Sequence, residues 1–199
     1  MNGIYCQKTY PLERHDKAEL VMKVIETERL NLRTWKADDV VEYYRINQDP
    51  KVIEFLRGPL TKQEVVEFIA LQNQQFEQLQ FTLWATEEKS TGKLIGFIGL
   101  NSPKWESHFT PCVEIGWRLG SEYWGKGYAT EGAKAALQYG FETVGLKEIV
   151  SFTVSDNTRS ICVMEKLGMM RDFNGDFAHP CLDVNHKLSK HILYKIQKP

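Results

Sequence analysis

The chain has 199 residues, of which 42% are hydrophobic and 12% aromatic, enough to bury one substantial core. Its 25 basic and 26 acidic side chains leave a net charge of -1, so it has no broad field to attract nucleic acid or an acidic membrane. These values predict one globular domain without a nucleic-acid or membrane partner.

The cysteines are sparse and follow no metal-binding pattern. None of the four forms a C-x-x-C pair, so no metal site is predicted, and free buried thiols in a reducing compartment are expected; they are Cys6, Cys112, Cys162 and Cys181. The first residues lack the apolar segment of a secretory signal, and no apolar run of membrane-spanning length occurs. We therefore expect a cytoplasmic protein.

The first half of the chain begins with a polar stretch and then shows two kinds of periodicity. Residues 1–24 are predicted to form an N-terminal extension, with a short helix in "AELVMKVIE", ahead of a domain at 25–199. The segment "TERLNLRTW" alternates apolar and polar residues as a half-buried strand does. Helices are predicted at 36–47 and 61–79, the second opened by a capping box of Thr61 and Glu64.

The second half of the chain alternates strands and helices. Short connections predict an antiparallel meander from the first three of five strands, which lie at 80–88, 93–101, 112–120, 147–154 and 191–196. One helix follows "WGKGYAT" and ends at Gly145, and another covers 157–168. The pattern predicts an α+β, or mixed α/β, fold class.

The stretch "WGKGYAT" places Gly125 and Gly127 just before a helix, with the hydroxyl of Thr130 in its first turn. Backbone N–H groups at a helix N-terminus favour a phosphate, although a tight turn that only needs glycine would have the same sequence. The spacing fits neither a Walker loop nor a Rossmann fingerprint. The turn alone therefore leaves a phosphate site and a plain bend open.

The motifs "ETERLNLRTW", "GFIGL", "VEIGWRLGSEYWGKGYATEG" and "NTRSICVMEKLGM", in this order, resemble the GNAT superfamily of N-acetyltransferases. The resemblance covers about residues 26–197 and is strongest to the branch of ribosomal-protein alanine N-acetyltransferases. It implies acetyl-CoA as cofactor and CoA as product. It also implies a mostly antiparallel seven-stranded sheet flanked by helices and splayed between strands four and five, here "EIGWRL" and "IVSFTV".

The resemblance also implies where the cofactor binds. The family's pyrophosphate loop falls on Trp124, Gly125, Lys126, Gly127, Tyr128 and Ala129, followed by Thr130. Trp124 departs from the usual Arg or Gln, which matters little where backbone N–H groups hold the phosphates. Trp117, Arg118 and Leu119 would lie along the pantetheine arm, and Asn157 and Ser160 would face the cofactor. For Asn157 and Ser160 the alternative is helix capping alone.

The catalytic residues are less clear from the sequence. Many relatives carry a tyrosine as general acid where this chain has Met164, and Ser160 is the nearest polar substitute. Relatives often hold a glutamate at the position of Glu114, which would draw a proton through water; the alternative is a solvated or ion-paired carboxylate. His179 is a weaker candidate base, since a loop histidine before proline is usually structural. The candidate catalytic residues are therefore Glu114, Ser160 and Asn157.

The resemblance implies direct attack of a primary amine on the thioester of acetyl-CoA. At pH 7 a lysine amine loses about 4.6 kcal/mol to protonation and an α-amine only about 1.1 kcal/mol, so a site without a strong base suits a peptide N-terminus or a small amine. A non-catalytic acetyl-CoA-binding module is the alternative that Met164 keeps open. The sequence leaves the acceptor open, and also the choice between a monomer and a homodimer.

Overall fold

A computed structural model describes residues 21–199. In this part of the chain eight strands form one sheet with the order β1-β2-β3-β4-β5-β6-β8-β7, and five α-helices flank it. The strands are β1 (Lys23–Glu26), β2 (Leu30–Arg33), β3 (Leu83–Glu88), β4 (Lys93–Asn101), β5 (Glu114–Leu119), β6 (Glu148–Thr153), β7 (Met170–Ala178) and β8 (Lys190–Gln197). The helices are α1 (Asp39–Ile46), α2 (Pro50–Ile53), α3 (Lys62–Leu79), α4 (Tyr128–Tyr139) and α5 (Thr158–Lys166).

Alternation along the central strands gives the sheet two buried faces. On one face Ile115 and Trp117 of β5 pack in the same cluster as Ala133 and Ala136 of α4. On the other face Phe97 of β4 packs with aromatic residues of α1 and α3. The sheet therefore lies between α4 on one side and α1 with α3 on the other.

The sheet opens between β5 and β6. β4 and β5 pair antiparallel from Gly96 and Leu119 to Asn101 and Glu114, whereas the parallel register of β5 with β6 is limited to Glu114 and Val150. Beyond this point the two strands diverge. The mixed α+β class and the gap between "EIGWRL" and "IVSFTV" are confirmed, the two strands being fifth and sixth in this sheet.

Several local predictions are confirmed by hydrogen bonds. The β3–β4–β5 meander is antiparallel. The capping box of α3 is complete: the Thr61 amide donates to Glu64 Oε2 at 2.7 Å, and the Glu64 amide donates to Thr61 Oγ1 at 3.2 Å. After α4 a π-helical turn leads to Gly145, whose φ of 81° ends the helical segment as predicted.

Within the described residues the sheet has eight strands, where the family resemblance implies seven. β1 was predicted as part of a short helix, which is wrong for residues 23–26, and no strand was predicted at 170–178, where β7 lies. Both strands lie at the edges of the sheet, where exposed faces remove the apolar alternation that marks a buried strand. Residues 18–20 of the predicted helix lie outside the described residues.

The cysteines differ from expectation. Cys112 and Cys162 are free, but Cys112 is only half-buried and Cys162 is exposed. Cys181 is disulfide-bonded. The prediction of free buried thiols is therefore wrong for Cys162 and Cys181, because neither burial nor pairing can be read from spacing alone.

Candidate active site

A cavity of about 580 Å³ lies where the sheet opens. Eleven of the twelve predicted cofactor residues line it: Trp117, Arg118, Leu119, Trp124, Gly125, Gly127, Tyr128, Ala129, Thr130, Asn157 and Ser160. Lys126 does not line it. The tertiary structure therefore brings together residues from β5, the glycine turn, α4 and α5 that are up to 43 positions apart in the chain.

Other lining residues were not predicted from the sequence. The segment of α2 and the residues after it supplies Lys51, Val52, Phe55 and Leu56. α5 adds Thr158, Arg159, Cys162, Val163 and Lys166, and Tyr123 lies before the glycine turn. The i, i+3, i+4, i+7 spacing of Arg159, Cys162, Val163 and Lys166 marks one face of a helix, a signal that becomes useful only once α5 is known to border the cavity.

The glycine turn has the backbone that a phosphate cradle needs. Gly125 and Gly127 have φ values of 73° and 83°, in the left-handed region that favours glycine. A side chain on Gly125 would point into open space, with no atom within 4 Å. Gly127 is the N-cap of α4 and provides no side-chain cap, so the first-turn N–H groups of the helix have no such acceptor within the described residues. The residues fit a phosphate group at this helix N-terminus.

Arg29, just before β2, holds the glycine turn in place through side-chain hydrogen bonds. Its Nη1 donates to the Lys126 carbonyl at 3.0 Å, and its Nε donates to Glu131 Oε2 of α4 at 2.6 Å. The guanidinium also lies 4.6 Å from the ring centre of Tyr128. One arginine thus holds both the turn and the helix that follows it.

The contacts of Trp124 show what a tryptophan does at the position where the family usually has Arg or Gln. Its Nε1 donates to the Leu119 carbonyl at 2.9 Å, which ties the turn to the end of β5. Arg159 of α5 lies 4.7 Å from the centre of the same ring. Trp124 therefore acts through packing and one backbone hydrogen bond, whereas an arginine there would add charge.

The β5 edge toward the gap is defined by two hydrogen bonds. The Val113 carbonyl accepts from the Val150 amide at 2.9 Å, and the Ile115 carbonyl accepts from Ser151 Oγ at 3.0 Å. Backbone groups alternate in direction along a strand, so those of Trp117 also point toward the gap. Those of Arg118 point toward β4, and its guanidinium donates to Asn47 Oδ1 at 2.6 Å.

The cavity wall is strongly biased in charge. Among the described residues that line it, four carry a positive charge (Lys51, Arg118, Arg159 and Lys166) and none is an aspartate or glutamate. Since the whole chain is nearly neutral, this bias is local. Such a wall suits a ligand with several negative charges.

Asn157 and Ser160 belong to both the cavity and the helix start. Asn157 Oδ1 accepts from the Ser160 amide at 3.3 Å and its Nδ2 donates to Thr153 Oγ1 at 3.0 Å, so Asn157 does cap α5. Ser160 is buried in the cavity wall. Met164 is fully buried in the core and does not line the cavity.

Glu114 is buried at the point where β5 and β6 still pair. Asn101 Nδ2 lies 3.5 Å from its Oε2, and burial raises the pKa of the carboxyl to about 7. It shares a sheet face with Arg118 and does not line the cavity. The structure excludes a solvated carboxylate at this position, and the raised pKa suits a group that exchanges a proton near neutral pH.

His179 is fully buried in an aromatic cluster and lies 5.1 Å from Trp105 between ring centres. Its Nδ1 accepts from the Cys181 amide at 3.2 Å, and burial lowers its pKa to about 4. These contacts favour the structural role for this histidine.

Residues 21–199 contain no group of three or more His, Cys, Asp or Glu side chains placed to hold a metal ion. No helix in the same part is both long enough and apolar enough to cross a membrane.

Comparison with known proteins agrees with the geometry of the site. The family model described as "Acetyltransferase (GNAT) domain" matches residues 29–170, more than half of the chain. The uncharacterized N-acetyltransferase p20 of Bacillus licheniformis is 30% identical over 159 residues, covering 76% of this chain and 88% of that protein.

Solved structures of similar fold include two acetyltransferases. One is a GNAT-family acetyltransferase of Bacillus anthracis, with a TM-score of 0.71 and 27% identity over 87% of this chain and 98% of that one. The other is the ribosomal-protein-S5-alanine acetyltransferase of Vibrio fischeri, with a TM-score of 0.65 and 19% identity over 90% and 97%. The chain therefore belongs to the GNAT family of N-acetyltransferases.

Proposed function

We propose that this enzyme binds acetyl-CoA in the gap between β5 and β6 and transfers the acetyl group to a primary amine. The observation that carries the proposal is the cavity wall. Within residues 21–199 this wall joins a glycine turn at a helix N-terminus to four cationic side chains and holds no carboxylate. A diphosphate with a further phosphate matches this charge pattern. Glycine at two left-handed positions lets the backbone approach that ligand closely.

The binding residues have separate tasks in this proposal. The turn from Trp124 to Ala129, with Thr130, holds the diphosphate through backbone N–H groups. The gap-facing backbone of Trp117 pairs with the pantetheine amides as a strand edge pairs with a peptide. Asn157 and Ser160 line the same cavity from α5.

The catalytic step needs the acceptor amine in its neutral, unprotonated form. When bound, acetyl-CoA supplies a thioester that the amine attacks directly. Glu114, with a pKa of about 7, accepts the amine proton through water, since it lies outside the cavity wall. Ser160, buried in that wall, donates a proton to the leaving thiolate, with Asn157 Oδ1 accepting from its backbone amide.

The acceptor we propose is an α-amine of a peptide or a small amine. With one buried carboxyl as base, the site favours an amine that is already partly neutral at pH 7. Two peptides test this choice: one with a free N-terminus and no lysine, and one with a blocked N-terminus and a single lysine. Faster acetylation of the lysine peptide would overturn it.

A non-catalytic acetyl-CoA-binding module is the second candidate, favoured by Met164, which places no hydroxyl at the usual position of the general acid. Release of free CoA in the presence of a panel of amines separates the two. Turnover with any acceptor supports the enzyme, whereas tight acetyl-CoA binding without turnover supports the module.

Three further predictions stay as predictions. They are the division into an extension at 1–24 and a domain at 25–199, the cytoplasmic location, and the choice between a monomer and a homodimer. Of the proposed extension, residues 1–20 lie outside the described part of the chain.

A further inference from the structure

Arg159 lines the cavity where its wall is exposed to solvent, here called the mouth, and its side chain bridges two parts of that wall. The residue lies in the first turn of α5 and lines the cavity. Its Nη2 lies 2.5 Å from Glu54 Oε2, and its guanidinium lies 4.7 Å from the ring centre of Trp124 and 5.8 Å from that of Phe55. The side chain thus spans from the α2 segment to the glycine turn.

The ion pair with Glu54 is poorly protected from water. The side chains of Arg159 and Glu54 are 52% and 50% exposed, and ion pairs between such exposed groups are weak. Glu54 itself does not line the cavity, whereas Arg159 does. The cation therefore faces the ligand space while its partner stays outside it.

A phosphate would be a better partner for this guanidinium than Glu54. Arginine binds phosphate through two parallel charge-assisted hydrogen bonds, and stacking on an aromatic ring holds the fork in orientation. Trp124 supplies that ring and is the first residue of the turn that we propose to bind the diphosphate. Arg159 is therefore held next to the predicted phosphates before any ligand arrives.

We propose that Arg159 binds a phosphate of the cofactor and that Glu54 competes with that phosphate for the same guanidinium. Without ligand, Glu54 holds Arg159 across the mouth of the cavity. On binding, the phosphate replaces Glu54. This inference rests on the proposed function, because it takes acetyl-CoA as the ligand.

Competition predicts effects of opposite sign for the two partners. By isothermal titration calorimetry with CoA, we expect Arg159→Ala to raise Kd by about tenfold or more, as loss of hydrogen bonds to a charged group does. Glu54→Gln, which removes the competitor, should lower Kd by about two- to fivefold, the size of an exposed ion pair. The double variant should bind like Arg159→Ala alone.

A purely structural bridge predicts a different pattern. If the pair only ties the α2 segment to α5, both single variants loosen the mouth and both raise Kd, which would overturn the proposal. An unchanged Kd in Arg159→Ala would overturn it as well. Arg45→Ala is the matched control, because Arg45 is also an exposed, ion-paired arginine but does not line the cavity. Thermal melting of each variant checks that the fold is retained.

A second ligand identifies which phosphate is bound. If Arg159→Ala weakens CoA but not 3′-dephospho-CoA, the residue holds the 3′-phosphate. If it weakens both equally, it holds the diphosphate; either result supports the proposal. Failure of the unaltered protein to bind CoA would overturn the proposed function and this inference together, whereas normal binding with a raised Kd in Glu54→Gln overturns the inference alone.

Discussion

Burial of Glu114 determines the pH range in which it can act as a base. Its carboxyl must be ionised to accept a proton, and its pKa is raised to about 7 by burial. We expect activity to rise with pH through about 7 and Glu114→Gln to lower kcat by roughly 100-fold, the usual contribution of a general base. Initial rates between pH 5.5 and 8.5 measure both effects. If the activity of Glu114→Gln rose with pH through the same midpoint, Glu114 would not be the base.

The same carboxyl should make stability fall as pH rises, whereas activity rises. Its pKa is higher in the folded chain than the ordinary value of 4.5, so the folded state binds the proton more tightly. The stabilising contribution is complete below about 4.5 and is lost as pH rises through about 7. Urea unfolding at pH 5 and pH 8 should show a loss in the unaltered protein, on the order of 3 kcal/mol, that Glu114→Gln lacks. Equal losses in both proteins would rule out Glu114 as the source.

A substitution at Gly127 tests whether the glycine turn binds the cofactor. Its φ of 83° disfavours a branched side chain, and a Cβ there would lie 3.4 Å from Arg29 Nη2. Gly127→Val should weaken acetyl-CoA binding by at least about tenfold while costing about 1–3 kcal/mol of stability. Lys126→Ala should change little, because Lys126 does not line the cavity. Acetyl-CoA titrations followed by tryptophan fluorescence compare the two; an unaltered affinity in Gly127→Val would make the turn a plain bend.

At the scale of elements, the segment before β2 positions the turn and α4 through Arg29. Removing its side-chain contacts with Lys126 and Glu131 should let the turn move without opening the core, because the Arg29 side chain itself is 42% exposed. We expect Arg29→Ala to raise the KM for acetyl-CoA several-fold with little change in kcat, and Arg29→Lys to restore only part of it. Lys89→Ala, which removes the nearby ion pair with Glu26, is the control. A fall in kcat at constant KM would exclude this positioning role.

At the start of α5, two substitutions of Asn157 distinguish helix capping from contact with the cofactor. Asn157→Ala should cost about 1 kcal/mol of stability through loss of the cap. Asn157→Asp keeps a capping oxygen but adds a negative charge in the cavity wall. If Asn157 also contacts the cofactor, the Asp variant recovers the melting temperature but not the affinity for acetyl-CoA. Recovery of both would reduce the residue to a cap.

For the whole molecule, the ligand should join the two parts of the sheet that diverge after Glu114 and Val150. A ligand at about 100 times its Kd stabilises the folded state by about 2.7 kcal/mol. For a chain of this size that raises Tm by about 5–10 °C. Thermal melting with and without acetyl-CoA measures this, and hydrogen exchange should show the added protection in β5, β6 and α5. No shift in Tm at saturating acetyl-CoA would contradict the proposed site.

The sequence by itself determined the elements whose signals are local. The meander, the capping box of Thr61 and Glu64, and the glycine turn before α4 follow from periodicity and from short-range hydrogen bonds, which neighbouring residues specify. The ordered motifs identified the family, and eleven predicted cofactor residues meet at one cavity.

Only the tertiary structure decided the rest. The edge strands β1 and β7 lack apolar alternation because much of their surface is exposed. The contacts of Arg29 with Glu131 and of Arg159 with Glu54 join residues more than 100 positions apart, so no local pattern marks them. The fold also buries Glu114, which raises the pKa of its carboxyl, and it buries Met164 and His179. Burial depends on what the fold places around a side chain, and that is specified by the packing of the whole chain.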